Sequence, residues 1–254
     1  MNPWTLYFYL SLLVSPSHGQ LDDIRFRNGY TDFSLGSFAG KLTQASQNLV
    51  SLQSLRDSNF DFLPFDYLPN RTYDGAHHIG DVTFRYRRLH ASSWTSVDSA
   101  LDRNNITPIQ SLHAASVIAA ADMTPTLNDT APPIQVTREW LDMGTMLGLR
   151  INITNDADST VEIGSLGLPI AINNIFIGRS DVEVQRKCSF ADPYIGLDAG
   201  YVQVTPVRGV GSALVILSLD RSPFEAWRFL FEPAGDLGYH VQTYEGNYEW
   251  QIHS

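Results

Sequence analysis

The feature that most constrains this chain is the alternation in Leu149-Arg150-Ile151-Asn152-Ile153-Thr154, where every second side chain is aliphatic and those between are polar. A period of two puts the aliphatic residues on one face of an extended strand and the polar ones on the other, so the segment is a strand with one buried face. Asn155-Asp156-Ala157-Asp158-Ser159 follows, a run of turn formers, and Val161 and Ile163 resume the alternation, which predicts a hairpin. A second hairpin is expected where Tyr201 to Thr205 and Ala213 to Leu219 flank the Gly-rich turn Arg208-Gly209-Val210-Gly211-Ser212. Its second arm is apolar enough to be buried on both faces.

The same period recurs elsewhere. Val82, Phe84 and Tyr86 alternate with Thr83, Arg85 and Arg87, and Val136, Arg138 and Trp140 alternate with Gln135, Thr137 and Glu139. Trp94 to Ala100 and the small-residue run Ser116 to Met123 read as further strands, the latter where another backbone approaches closely. Residues 21–55 carry scattered apolar positions and predict one or two short strands. From Asp57 to Gly80 the prolines and glycines predict a long loop that packs its own aromatics, among them Phe60 and Phe62. No segment sustains a 3.6-residue period over several turns, so any helix is short. Short strands between closely spaced turns predict an all-β chain, an antiparallel sandwich or barrel, in one domain.

A net charge of -10 argues against nucleic acid or an anionic membrane surface as partner. Trp4 to Val14 is an apolar run followed by Pro16, Ser17 and Gly19, which predicts a leader over residues 1–19 cleaved after Gly19 and a secreted mature chain from residue 20 to 254. A buried N-terminal strand is the alternative. As a helix the run reaches about 16 Å, against ~30 Å of hydrocarbon, so it is too short for a membrane span. Sequons at Asn70, Asn105, Asn128 and Asn152 predict N-glycosylation. The lone Cys188 cannot form a disulfide within the chain, and a buried thiol suits it better than a nucleophile.

Aromatics concentrate toward the C-terminus, with eight between Phe224 and Trp250. Phe229 and Phe231 with Trp227 suit a core face. Tyr239, Tyr244, Tyr248 and Trp250, with Glu245, Asn247 and Glu249 among them, suit either a packed interface or a platform on which sugar rings stack. Glycosidic cleavage needs two facing carboxyls, and Glu245 with Glu249 or Glu139 with Asp142 are the candidate pairs. His77-His78 suits a loop role better than a metal site, because neighbours in an extended segment point apart. There is no Gly-x-Ser-x-Gly elbow, phosphate-binding Gly-rich loop or His-Glu-x-x-His. No cofactor is implied.

Four stretches carry a resemblance: Gly75-Ala76-His77-His78-Ile79-Gly80-Asp81-Val82, Val161-Glu162-Ile163-Gly164-Ser165-Leu166-Gly167-Leu168-Pro169, Ser189-Phe190-Ala191-Asp192-Pro193-Tyr194 and Tyr244-Glu245-Gly246-Asn247-Tyr248-Glu249-Trp250-Gln251. Over roughly Leu21 to Ser254 the chain resembles the N-terminal part of a secreted fungal family of uncharacterised function, similar to six-hairpin glycosidases. The resemblance implies a β-supersandwich of the galactose-mutarotase type, with an α-helical toroid as its docking partner and the catalytic carboxylates mainly on that toroid. No residue here matches a toroid acid or base. The expected function is therefore a non-catalytic, structural or carbohydrate-associated sandwich domain; a free-standing carbohydrate-binding module and a small complete glycoside hydrolase are the alternatives.

Overall fold

The computed structural model describes residues 4–12, 21–27, 29–65, 77–109, 116–176, 178–194, 201–218, 228–233, 239–244 and 249–252. In chain order the strands begin with β1 (Trp4–Leu12), β2 (Leu21–Arg27), β3 (Tyr30–Leu35), β4 (Phe38–Thr43), β5 (Leu49–Ser54) and β6 (Asp57–Asp61). Then come β7 (Thr83–Arg88), β8 (Thr95–Asp98), β9 (Thr107–Pro108), β10 (Val117–Asp122), β11 (Ile134–Asp142), β12 (Met146–Asn155) and β13 (Val161–Ala171). The helix α1 (Asp181–Lys187) precedes β14 (Ser189–Tyr194), β15 (Tyr201–Pro206), β16 (Leu214–Ser218), β17 (Arg228–Pro233), β18 (Tyr239–Tyr244) and β19 (Glu249–Ile252).

These strands form three antiparallel sheets. The largest runs β14-β15-β16-β1-β12-β11-β10-β9; the second runs β17-β18-β13-β7-β8, with β19 also on β13; the third is the meander β2-β3-β4-β5-β6. One hydrophobic core joins them: Leu35, Phe38 and Leu52 from the meander meet Phe84 and Ile163 of the second sheet and Trp140 and Leu147 of the largest. Burying each such side chain contributes roughly 1.5–3 kcal/mol, which makes the shared core the main force holding the sheets face to face. The chain is thus an all-β sandwich, and α1 is its one α-helix among the described residues.

Alternation is realised where it was strongest. In β12 Leu149, Ile151 and Ile153 are buried while Arg150, Asn152 and Thr154 are half-exposed, and β7 and β11 follow the same rule. The Gly-rich hairpin forms as expected between β15 and β16, with Val204 opposite Leu214. In β16 Leu214 and Ile216 are buried but Val215 and Leu217 are only half-buried, so this arm has one core face rather than two.

Three further expectations are corrected. Residues 21–55 hold four strands, not one or two, because Phe33, Leu35, Phe38, Leu42 and Leu52 give the meander a continuous buried face despite the glycines at its turns. Asp57–Asp61 is the strand β6 rather than loop, although Phe60 and Phe62 do pack edge to face at 5.2 Å. The turn after β12 is not a hairpin. β12 pairs with β11 and β1, whereas β13 pairs with β7, β18 and β19, so residues 155–159 carry the chain from one sheet to another. The Asn155 side chain shapes that corner by donating from Nδ2 to Ser159 O and accepting from Ala157 N, both at 2.9 Å.

The apolar run read as a leader lies in the largest sheet as β1, paired with β12 from Trp4–Ile153 to Ser11–Met146 and with β16 from Phe8–Ser218 to Leu12–Leu214. Cys188 is fully buried, its Sγ 3.2 Å from Ile175 O.

Candidate functional site

An open groove of about 470 Å³ is lined by Arg88 of the second sheet, by Pro132, Pro133 and Gln135 at the start of β11 in the largest sheet, and by Asp156 and Asp158 of the corner after β12. The corner after β12 builds one wall. Asp156 N donates to Pro133 O at 2.9 Å, and Gln135 Nε2 donates to Asp156 Oδ2 at 3.2 Å, so the amide and the carboxylate hold each other in place. Arg88 lines the groove from the end of β7. It follows Tyr86 by two residues on β7 and so shares that residue's inward side of the strand. Tyr86 itself is buried, with its hydroxyl donating to Asp129 Oδ2 at 3.4 Å. Burial, then the Asp129 carboxylate, raise the tyrosine pKa, which keeps the phenol protonated. Arg88, Asp156 and Asp158 are exposed, and among the described residues no carboxylate closes an ion pair with Arg88.

The other face of β7 carries a cation–aromatic stack. The guanidiniums of Arg85 and Arg87 lie 4.6 Å and 4.3 Å from the Trp94 ring centroid, and Arg87 Nε is bonded to Glu162 Oε2 at 2.5 Å. Gly164 makes room for this arrangement, since a Cβ there would stand 2.9 Å from Arg85 Nε.

Between the three sheets lies a buried polar cluster. Asp81 accepts from Arg103 Nη2 and Asn48 Nδ2, both at 2.7 Å, and from His78 N at 2.8 Å. Burial alone would raise its pKa, but the Arg103 charge and hydrogen bonds bring it down to about 2. Arg138, also fully buried, donates to Gly80 O and Ser46 O. Burial lowers its pKa to about 10, with Asp81 opposing, so it stays charged at neutral pH.

The residues singled out from sequence fall differently. Glu139 and Asp142 do not face each other: they lie three positions apart on β11 and so on opposite sides of the strand, Glu139 paired with Arg150 and Asp142 capping Gly144 N. This removes that catalytic pair. His77 and His78 diverge as adjacent extended residues should, His77 binding Asp98 at 2.9 Å while His78 is buried. Trp227, Glu245, Asn247, Tyr248 and Asn70 lie outside the described residues. Tyr239 and Tyr244 occupy the ends of β18, opposite Pro233 and Arg228 of β17. On β19, Glu249 is in register with Gly164 and Trp250 with the buried Ile163. Asn105 and Asn128 are exposed, and Asn152 is half-exposed on β12. Sequence reasoning missed the groove, which three distant segments build without a local motif.

Fold and site together define an antiparallel sandwich with an open groove of mixed polar and apolar lining. The chain belongs to the family of unknown function DUF5695, whose pattern matches residues 41–254. No curated protein matches it. Among solved structures it is similar to Polysaccharide Lyase BACCELL_00875, with a TM-score of 0.52 and 9% sequence identity, over 86% of this chain and 32% of that one. The likeness therefore spans about a third of the lyase.

Proposed function

We propose that this chain is a non-catalytic, carbohydrate-associated sandwich domain of a glycan-processing protein of glycosidase or lyase type. The likeness to a polysaccharide lyase across 86% of the chain carries this reading. The separation of Glu139 from Asp142 supports the non-catalytic part. A carbohydrate-binding module acting alone is the second reading, favoured by the open groove of mixed polar and apolar lining. The test exposes purified protein to a panel of plant, fungal and bacterial polysaccharides, following binding by calorimetry and turnover by new reducing ends and by the ultraviolet absorbance of unsaturated sugar ends. Binding without turnover is expected. Turnover would overturn the non-catalytic reading, and absence of binding across the panel would overturn the carbohydrate reading.

Export behind a leader ending at Gly19, with glycans on the sequons, belongs to the same proposal. It competes with the pairing of β1 to β12 and β16. N-terminal sequencing of exported protein separates the two: Gln20 as first residue supports a leader, and a retained Trp4–Leu12 supports the strand.

A further inference from the structure

We infer that the groove between Arg88 and the corner at residues 156–158 is a binding site for an uncharged, hydroxyl-rich glycan. The inference rests on the carbohydrate reading above and assigns it a place and a ligand class. The volume of about 470 Å³ lies within the range of small-ligand sites. The lining supplies what a neutral sugar needs. Asp156 and Asp158 accept from hydroxyls, Arg88 and Gln135 donate to them, and the half-buried Pro132 ring with the exposed Ala131 beside it gives a saturated surface for the apolar face of a pyranose. Gln135 already donates to Asp156 Oδ2 at 3.2 Å, an exposed hydrogen bond that a sugar hydroxyl can join or replace.

Charge selects the class. Two carboxylates and one guanidinium line the groove, on a chain of net charge -10, so a carboxylated or sulfated glycan would meet net repulsion from the lining and from the whole surface. A neutral sugar meets none. The Arg85–Trp94–Arg87 stack is a poorer site, because its guanidiniums already lie against the indole ring and Arg87 is bonded to Glu162.

The experiment titrates the full chain with cellohexaose, xylohexaose, mannohexaose and hexagalacturonate by calorimetry, and repeats each titration with Arg88→Gln and Asp158→Ala. Both side chains are exposed, and circular dichroism melting checks that each variant remains folded. The expected result is binding of at least one neutral hexasaccharide, weakened tenfold or more in each variant, with hexagalacturonate weaker than the best neutral probe. Neutral binding unchanged in both variants overturns the site while leaving the carbohydrate reading intact. Tighter binding of hexagalacturonate overturns the ligand class. Absence of binding by every probe overturns this inference, and only failure across the full polysaccharide panel overturns the reading on which it rests.

Discussion

Arg103 Nη2 stands 2.7 Å from Asp81 Oδ2, with 5% of the arginine side chain and none of the aspartate exposed. An ion pair this deep contributes little net stability, because desolvating both charges offsets their attraction. Removing one partner is another matter. Arg103→Met leaves a buried carboxylate short of its countercharge, and a loss of about 3–5 kcal/mol is expected. Urea denaturation measures it, and Arg103→Met combined with Asp81→Asn should recover part of the loss. A single variant with an unchanged midpoint would show that the pair is solvated.

Acid should act through the same aspartate. Its folded pKa falls from 3.8 to about 2, so folding favours the ionised form. The resulting stabilisation is complete above 3.8 and disappears as pH falls toward the folded value, roughly 2 kcal/mol at about 1.4 kcal/mol per unit. Urea midpoints should drop across that window in the wild type and change less in Asp81→Asn. Equal slopes would sink the assignment.

His77 gives the opposite sign. Burial would lower its pKa, but the hydrogen bond and charge of Asp98, helped by the charge of Asp81 and opposed by Arg103, raise it above 6.5. Protonated His77 is therefore favoured by folding. Its contribution is full below pH 6.5 and lost as pH rises through the raised folded value. Proton NMR of the imidazole should show a midpoint above 6.5 that moves down in Asp98→Asn. A midpoint unmoved by that change would mean Asp98 does not set it.

How much of this was legible follows from what a local pattern can encode. β7, β11 and β12 were readable because each holds a run of five or more alternating positions, Thr83 to Arg87, Ile134 to Trp140 and Leu149 to Asn155, with one face on the core. The meander was under-read because its turns use Gly29 and Gly36 between short apolar pairs. The corner at residues 155–159 has the composition of a hairpin turn, and only the pairing of β13 with β7 makes it a crossing between sheets. The groove and the Asp81 cluster lay beyond reach, since each joins segments dozens of residues apart. One signal was visible: Arg138 sits in the buried row with Val136 and Trp140, and a cation in that row implies buried acceptors.

Those acceptors lead to the sharpest test. Arg138 donates to Gly80 O and Ser46 O, while Trp140 Nε1 donates to Gln47 O at 2.8 Å, so neighbouring inward residues of β11 clamp the turn between β4 and β5 and the loop before β7. Gly80 has φ +106, and a Cβ there would lie 3.0 Å from Arg138 Nη1 and 3.1 Å from Trp140 Cζ2. Gly80→Ala thus combines backbone strain with displacement of the guanidinium, and a loss of about 2 kcal/mol or more is expected. Arg138→Lys should not preserve stability, because Gly80 O and Ser46 O are served by two different guanidinium nitrogens and lysine has only one. Thermal melting ranks the variants. Amide exchange of Asn48 and Leu49, whose N–H groups bond to Thr43 Oγ1 and Ile79 O, should accelerate in both. Unchanged protection there would mean that the clamp does not fasten the three sheets together.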